Sequence, residues 1–340
     1  MTRRTFLAAT PALAQPPAGK LRIAFLGASH SHAEAKIGIV RKSPLWDLAG
    51  IVEDSPTVRA PYEKAGVAIL KREDVLTDPA ISVIAVESDV PRHAKDGFAA
   101  LNAGKHVHLE KPPSDNMAEM RALADVARRR GRLLQMGYMW RHHPGINLML
   151  DAAPKGWFGE IYLVRGTMND LIGADRRPDW NRFTGGQMFE QGGHLLDPIT
   201  RLMGRPQRIT SVLRTDGNFR DTVKDNTMAV LEYPKAMAVV TFAILQPNSN
   251  AYRSLEIFGS NGTAVLRPIE PPVLEIDLVK AAGPFKAGRQ KVDLPAFRRY
   301  EGDFAELHRC VSSSQPLSVT LEEDLLVQQV LLEASRMSGA

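Results

Sequence analysis

Cysteine is almost absent: Cys310 is the only one in 340 residues. A single thiol excludes an intrachain disulfide and any zinc site built on cysteines. Aromatic residues make up 6% of the chain. None interleaves with the one dense basic cluster, Arg128, Arg129, Arg130 and Arg132, as a single-strand nucleic-acid groove requires. That cluster closes a helical pattern, where cations suit the dipole, so the net charge of +5 points to no nucleic-acid partner. No apolar run approaches the ~20 residues of a membrane-spanning helix, and no integral membrane segment is expected. Repeats and low-complexity tracts are missing too. What is present, 44% hydrophobic and 24% charged residues, is the composition of a globular protein long enough for two domains.

The chain starts with Arg3-Arg4 ahead of Phe6-Leu7, a short apolar run and the triplet Ala12-Leu13-Ala14. These are the parts of a twin-arginine-like export signal. Residues 1–20 therefore read as signal and linker, and a periplasmic protein is expected. A plain tail on a cytoplasmic protein is the alternative.

From Leu21 onward strands and helices alternate. The stretches 21–26, 48–52, 81–86, 105–109 and 133–136 are apolar and separated by helical patterns. Strands that are apolar throughout argue a parallel sheet covered on both faces, which predicts an α/β, doubly wound Rossmann domain over 21–141. After Arg141 the texture changes. Helices are predicted near 146–152 and 188–203. Strands at 208–214, 227–233, 236–244, 253–259 and 263–267 then follow one another without helices between them. That pattern predicts a C-terminal α/β domain over 142–340 with a largely antiparallel open sheet. Two helices, about 299–313 and 320–337, close the chain, the second with Thr320 and Glu323 as a capping box.

The chemistry-bearing residues fall at the junctions. Gly27 opens a strand–turn–helix, and Glu53 ends the second strand 53 − 27 = 26 positions later. This is the layout of a dinucleotide fold, with pyrophosphate at the helix N-terminus and the acid on the ribose. The glycine fingerprint is broken, however: Ser29 and His32 stand where its second and third glycines belong. Gly27, Ser29 and His30 are the cofactor-facing residues of the turn. The pair Glu53-Asp54 would repel a 2′-phosphate, which favours NAD over NADP. At the exit of the fourth strand, where ligands bind in open α/β sheets, stands Glu110-Lys111-Pro112. A lysine there can donate protons or hold a hydroxyl, although the tripeptide alone reads more readily as a solvated turn. Glu190 and His194, four apart, share one helix face with Asp197 a turn further. Histidine suits proton transfer at neutral pH and a carboxylate can orient it; a surface Glu–His pair is an equal reading. His142, His143, His194 and Glu190 are metal-ligand types, but nothing in their spacing demands an ion, and no metal is expected.

Together with Val90-Pro91-Arg92-His93 and Met136-Gly137-Tyr138-Met139-Trp140-Arg141, the Glu110-Lys111-Pro112 stretch and the Glu190-x-x-x-His194-x-x-Asp197 helix resemble the Gfo/Idh/MocA oxidoreductases. The resemblance runs from about Leu21 to the end. It implies hydride transfer between NAD and a sugar, sugar-derivative or cyclitol hydroxyl, and a homo-oligomer built on the open sheet. By position, Lys111 and His194 match the family's catalytic lysine and histidine, while Glu190 stands where the family usually has aspartate. Ser88 and His93 match the loop lining the dinucleotide, and Glu110 precedes the lysine as in the family. Arg141 and His143 fall on a loop expected to face substrate, and Asp197 is placed with them. Two other readings are open: an NAD-dependent redox-cycling glycosidase, and a non-catalytic sugar-binding protein on the same fold, the latter motivated by Ser29 and His32.

Overall fold

The computed structural model describes residues 19–337; the twin-arginine-like stretch lies outside the described residues. Five strands, β1 (Leu21–Leu26), β2 (Trp46–Val52), β3 (Ile81–Val86), β4 (His106–Leu109) and β5 (Leu134–Met136), form a sheet in the order β2-β1-β3-β4-β5. Every pairing in it is parallel. Helices α1 (Ala33–Lys42), α2 (Pro56–Lys64), α3 (Arg72–Thr77), α4 (Val90–Asn102) and α5 (Met117–Arg130) make the crossovers. Ile23–Leu26 and Val83–Val86 are wholly buried, as central strands covered on both faces must be. Local signals fix the helix ends. Asn116 caps α5 by accepting the Glu119 N–H, and Gly131 ends it in the left-handed region with Arg128, Arg129 and Arg130 in the last turn.

The second half holds α6 (Pro144–Ala152), β6 (Ile161–Thr167), α7 (Arg177–Trp180) and α8 (Gly186–Met203). Seven further strands follow: β7 (Arg208–Arg214), β8 (Asn226–Glu232), β9 (Met237–Ala243), β10 (Ser254–Gly259), β11 (Gly262–Leu266), β12 (Leu274–Leu278) and β13 (Gly288–Val292). The sheet order is β13-β12-β11-β10-β6-β9-β8-β7, antiparallel except where β6 meets β9. Its strands alternate as a sheet with one covered face does. Val164, Ala229, Leu231, Val240 and Phe242 are buried, while Val212, Met228 and Met237 are exposed on the other side. Both predicted sheets are therefore present, and β12 and β13 extend the second beyond the strands read from sequence.

The last two helices, α9 (Glu301–Ser313) and α10 (Leu321–Ala334), also reach the first domain. From α9, Phe304 sets its ring 6.4 Å from that of Phe25, 6.1 Å from Trp46 and 5.0 Å from His108, so it covers one face of the parallel sheet. The helix α10 packs on α8 and α5, and Gln328 Nε2 donates to Ser114 O at 2.6 Å. Its capping box at Thr320 and Glu323 is formed as expected. The chain end thus clamps the first sheet to α8.

Candidate active site

Parallel strands bring their carboxyl ends to one edge. At that edge the turns after β1, β3 and β4 touch. Gly27 has φ +80°, and a Cβ placed on it would lie 2.4 Å from Ser88 Cα, so only glycine permits this approach. From the other side α8 lays Glu190 and His194 across the strand exits. The result is a cavity of about 620 Å³ whose walls include His30, His32, Lys111, Glu190, His194 and Arg253.

Lys111 is removed from water and needs acceptors. The helix supplies two: Lys111 Nζ donates to the Glu190 carbonyl at 2.8 Å and to Glu190 Oε1 at 3.1 Å. His194, on the same face of α8, is 3% exposed. Its ring lies 5.7 Å from that of Trp140 and 6.1 Å from that of His32. Burial, then the charge of Lys111 and the neighbouring His32, holds its pKa well below the ordinary imidazole value. Its Nδ1 has no partner among the described residues. A neutral imidazole with an unpaired nitrogen in a cavity is a ready proton acceptor.

The glycines before His194 set its position. A Cβ on Gly193 would meet Tyr138 Cε1 at 2.6 Å, and Tyr138 is 2% exposed and cannot swing away. Gly193→Ala is expected to cost about 1–3 kcal/mol of stability through overpacking and to lower kcat, because α8 must move and carries His194 with it. Denaturant midpoints together with turnover check this; a variant with wild-type values of both would show that α8 is not held against Tyr138.

Behind the cavity lies a buried charge cluster. Glu110 Oε1 receives the Lys111 N–H at 3.0 Å and faces His32 Nδ1 at 3.1 Å. Its other oxygen is held by the buried ammonium of Lys36, which also donates to Glu87 Oε1 at 2.6 Å. Burial works against the Lys36 charge, but Glu110 and Glu87 outweigh it and hold its pKa above the usual value. The two carboxylates share one ammonium and titrate apart. Burial pushes Glu87 up to about 8 against the pull of Lys36. Burial also opposes ionisation of Glu110, yet Lys36, His32 and His30 together hold it well below the ordinary range. Sequence reasoning missed Lys36 and Glu87. The available signal was spacing: Lys36 is four residues after His32 on the face of α1 that buries Ala33, Ile37 and Val40.

The other predicted site residues fall into two groups. Glu53, Ser29, His30 and Ser88 lie on the expected edge. Glu53 accepts the Ala28 and Ser55 N–H groups, both at 2.9 Å, and Ser29 Oγ donates to Asp89 at 2.7 Å. Among the described residues the N–H groups of Ser29 and Ser31 meet no acceptor, and neither does the buried Ser88 hydroxyl. Open donors ahead of the N-terminus of α1 fit a pyrophosphate, so the turn suits a dinucleotide although two of its glycines are replaced. The second group corrects the reading. His93 is buried with its ring nitrogens 2.7 Å from Pro112 O and 2.8 Å from Ser88 O; it ties the two loops together and does not line the cavity. Arg141 is spent on Asp197 (2.8 Å) and on Asp324. His143 Nε2 donates to Ile269 O at 2.9 Å while its Nδ1 accepts the Ile146 N–H and caps α6. Arg141, His143 and Asp197 are all buried, their polar atoms engaged with one another, with Asp324 or with backbone, and the cavity walls do not include them. His142 pairs with Glu306 at 3.4 Å, so it does not converge with His143, His194 and Glu190.

A family model described as an oxidoreductase family with an NAD-binding Rossmann fold matches residues 21–138, and one described as the GFO/IDH/MocA C-terminal domain matches 149–265. The trans-1,2-dihydrobenzene-1,2-diol dehydrogenase of Mus musculus is 27% identical over 205 residues, 59% of this chain and 59% of that protein. The same enzyme of Sus scrofa is 27% identical over 283 residues, 78% of this chain and 80% of that protein. The match to the mouse relative thus spans less than two thirds of its length. Among solved structures, levoglucosan dehydrogenase in complex with NADH and levoglucosan shares the fold. Its TM-score is 0.79 at 19% identity, covering 94% of this chain and 98% of that one.

Proposed function

Because the chain belongs to the Gfo/Idh/MocA oxidoreductases, we propose that it is an NAD-dependent dehydrogenase acting on a secondary CH–OH group of a sugar, sugar derivative or cyclitol. The observation that carries this reading is the convergence of Lys111, Glu190 and His194 from two domains on one cavity. That cavity borders the turn whose free N–H groups suit a pyrophosphate. The nicotinamide cofactor, when bound, supplies the hydride acceptor. The protein's own residues do the rest. His194, neutral and short of a partner, takes the proton from the substrate hydroxyl. The Lys111 ammonium donates to the same oxygen and stabilises the negative charge that develops there. Glu190 holds that ammonium in place through its carboxylate and its backbone carbonyl.

The carboxylate of Glu53 at the end of β2, next to exposed Asp54, supports NAD over NADP, since a 2′-phosphate would meet two negative charges. Relatives named for trans-1,2-dihydrobenzene-1,2-diol and for levoglucosan support a hydroxylated ring as substrate. Titration of the purified protein with NADH and NADPH, read by tryptophan fluorescence, tests the premise. NADH is expected to bind and NADPH at least about tenfold more weakly, the worth of one unfavourable charge contact of ~1.4 kcal/mol. Binding of neither dinucleotide would move the reading to a sugar-binding protein. Incubation with NAD and a panel of sugars, cyclitols and cyclic diols should then produce NADH. Glycoside cleavage without net NADH would point to the redox-cycling glycosidase.

A further inference from the structure

The turn 29–32 holds a group that hydride transfer does not use: two imidazoles, two residues apart, facing one carboxylate. His32 Nδ1 lies 3.1 Å from Glu110 Oε1, and His30 Nδ1 lies 4.0 Å from Glu110 Oε2. The two rings meet edge to face with centroids 4.7 Å apart, and all three ligand atoms lie within 4.8 Å of one another. A transition-metal ion binds imidazole nitrogen and carboxylate oxygen at about 2.0–2.2 Å, so donors up to about 4 Å apart can share one ion. We infer that His30, His32 and Glu110 form a binding site for a divalent transition-metal ion of the zinc type at the floor of the cavity.

The surroundings support this on both sides. Behind the site, ligating carboxylates are normally held by a further hydrogen bond. Here the second oxygen of Glu110 is held by buried Lys36, whose other partner is Glu87. In front, His30 and His32 reach the cavity wall together with His194. The Nδ1 of His194 is buried and has no partner among the described residues. Three protein ligands with an open side toward a cavity is the arrangement of a catalytic rather than a structural ion. Two imidazoles and one carboxylate suit zinc, cobalt or iron(II) better than magnesium or calcium, which prefer oxygen. A second trio, Glu87, His108 and Glu110, meets the same distance criterion. All three are fully buried, and neither Glu87 nor His108 borders the cavity, so an ion has no entry there.

The test needs no substrate and no dinucleotide, so its failure leaves the dehydrogenase reading standing. The untagged full-length chain, stripped with a chelator, is titrated with cobalt(II). One equivalent is expected to bind with the visible absorption of imidazole-ligated cobalt and to be displaced by zinc. His30→Asn and His32→Asn should each weaken cobalt binding at least 100-fold. His106→Asn, at a histidine outside the cavity, should leave it unchanged. In the unsubstituted chain, cobalt should also protect His30 and His32 from carbethoxylation by diethyl pyrocarbonate, which needs no variant to fold. Absence of saturable uptake, equal labelling with and without cobalt, or a loss confined to His108→Asn would each overturn the site.

Discussion

His194→Ala is expected to lower kcat by about 10³-fold on any polyol the wild type oxidises, the usual worth of a positioned general base, with dinucleotide affinity unchanged. The expectation rests on the surroundings of the ring. It is 3% exposed, flanked by Trp140 and His32, and its pKa lies well below the ordinary value through burial first and the charge of Lys111 second. A base works when deprotonated, so a lowered pKa extends activity toward acid. The wild-type kcat/KM should therefore stay level from about pH 8 through 6.5, where an unperturbed histidine would already be half protonated. Lys111→Ala should be equally damaging by a different route: it removes the donor to the substrate oxygen and leaves Glu190 without its ammonium. A pH profile with a break near 6.5, or a His194→Ala variant within tenfold of wild type, would dismiss His194 as the base.

Local rules placed Lys111 just past a strand and Glu190 and His194 four apart on one helix, but they read at least as readily as solvated groups, and the family resemblance is what singled the three out. Tertiary satisfaction was not legible. Arg141, His143 and Asp197 look like site residues because they are polar and adjacent in sequence to the right segments. The structure instead uses the first and last to pin a loop to α8, and the second to cap α6. Lys36 and Glu87 were hidden for the converse reason, being charged residues within an apolar periodicity whose partners lie 51 and 74 positions from Lys36. The strand β13 escaped because its sequence, Gly288-Arg289-Gln290-Lys291-Val292, has no apolar alternation. It is an edge strand, where charge guards against further pairing. The return of α9 to the first sheet could not be read from the helix itself, since Phe304 meets Phe25 and Trp46 across most of the chain.

The largest stability effect is expected at Arg141, where one guanidinium faces the buried carboxylates of Asp197 and Asp324 and lies over the Tyr138 ring at 4.7 Å. Arg141→Met keeps much of the volume and removes the cation, leaving two buried charges uncompensated. Breaking such a group by removing one partner typically costs about 3–5 kcal/mol. Asp324→Asn is the informative contrast. Burial raises the Asp324 pKa to about 6, against the pull of Arg141, from the ordinary 3.8 that it keeps in the unfolded chain. The native state therefore binds this proton more tightly. The favourable contribution of Asp324 is present at acid pH and is lost as pH rises through about 6. An asparagine keeps an acceptor for Arg141 and carries no charge to desolvate. Asp324→Asn should thus be at least as stable as wild type at pH 7.5 and should lack this component of pH dependence between about 4 and 6. Denaturant midpoints of the wild type and both variants at pH 5 and 7.5 separate the cases; equal losses in the two variants would mean that shape, not charge balance, is what the triad supplies. Asp197 lies three residues beyond His194 on α8. A loosened Arg141 should therefore also lower kcat while leaving dinucleotide affinity intact, which links this structural ion cluster to the cavity it does not line.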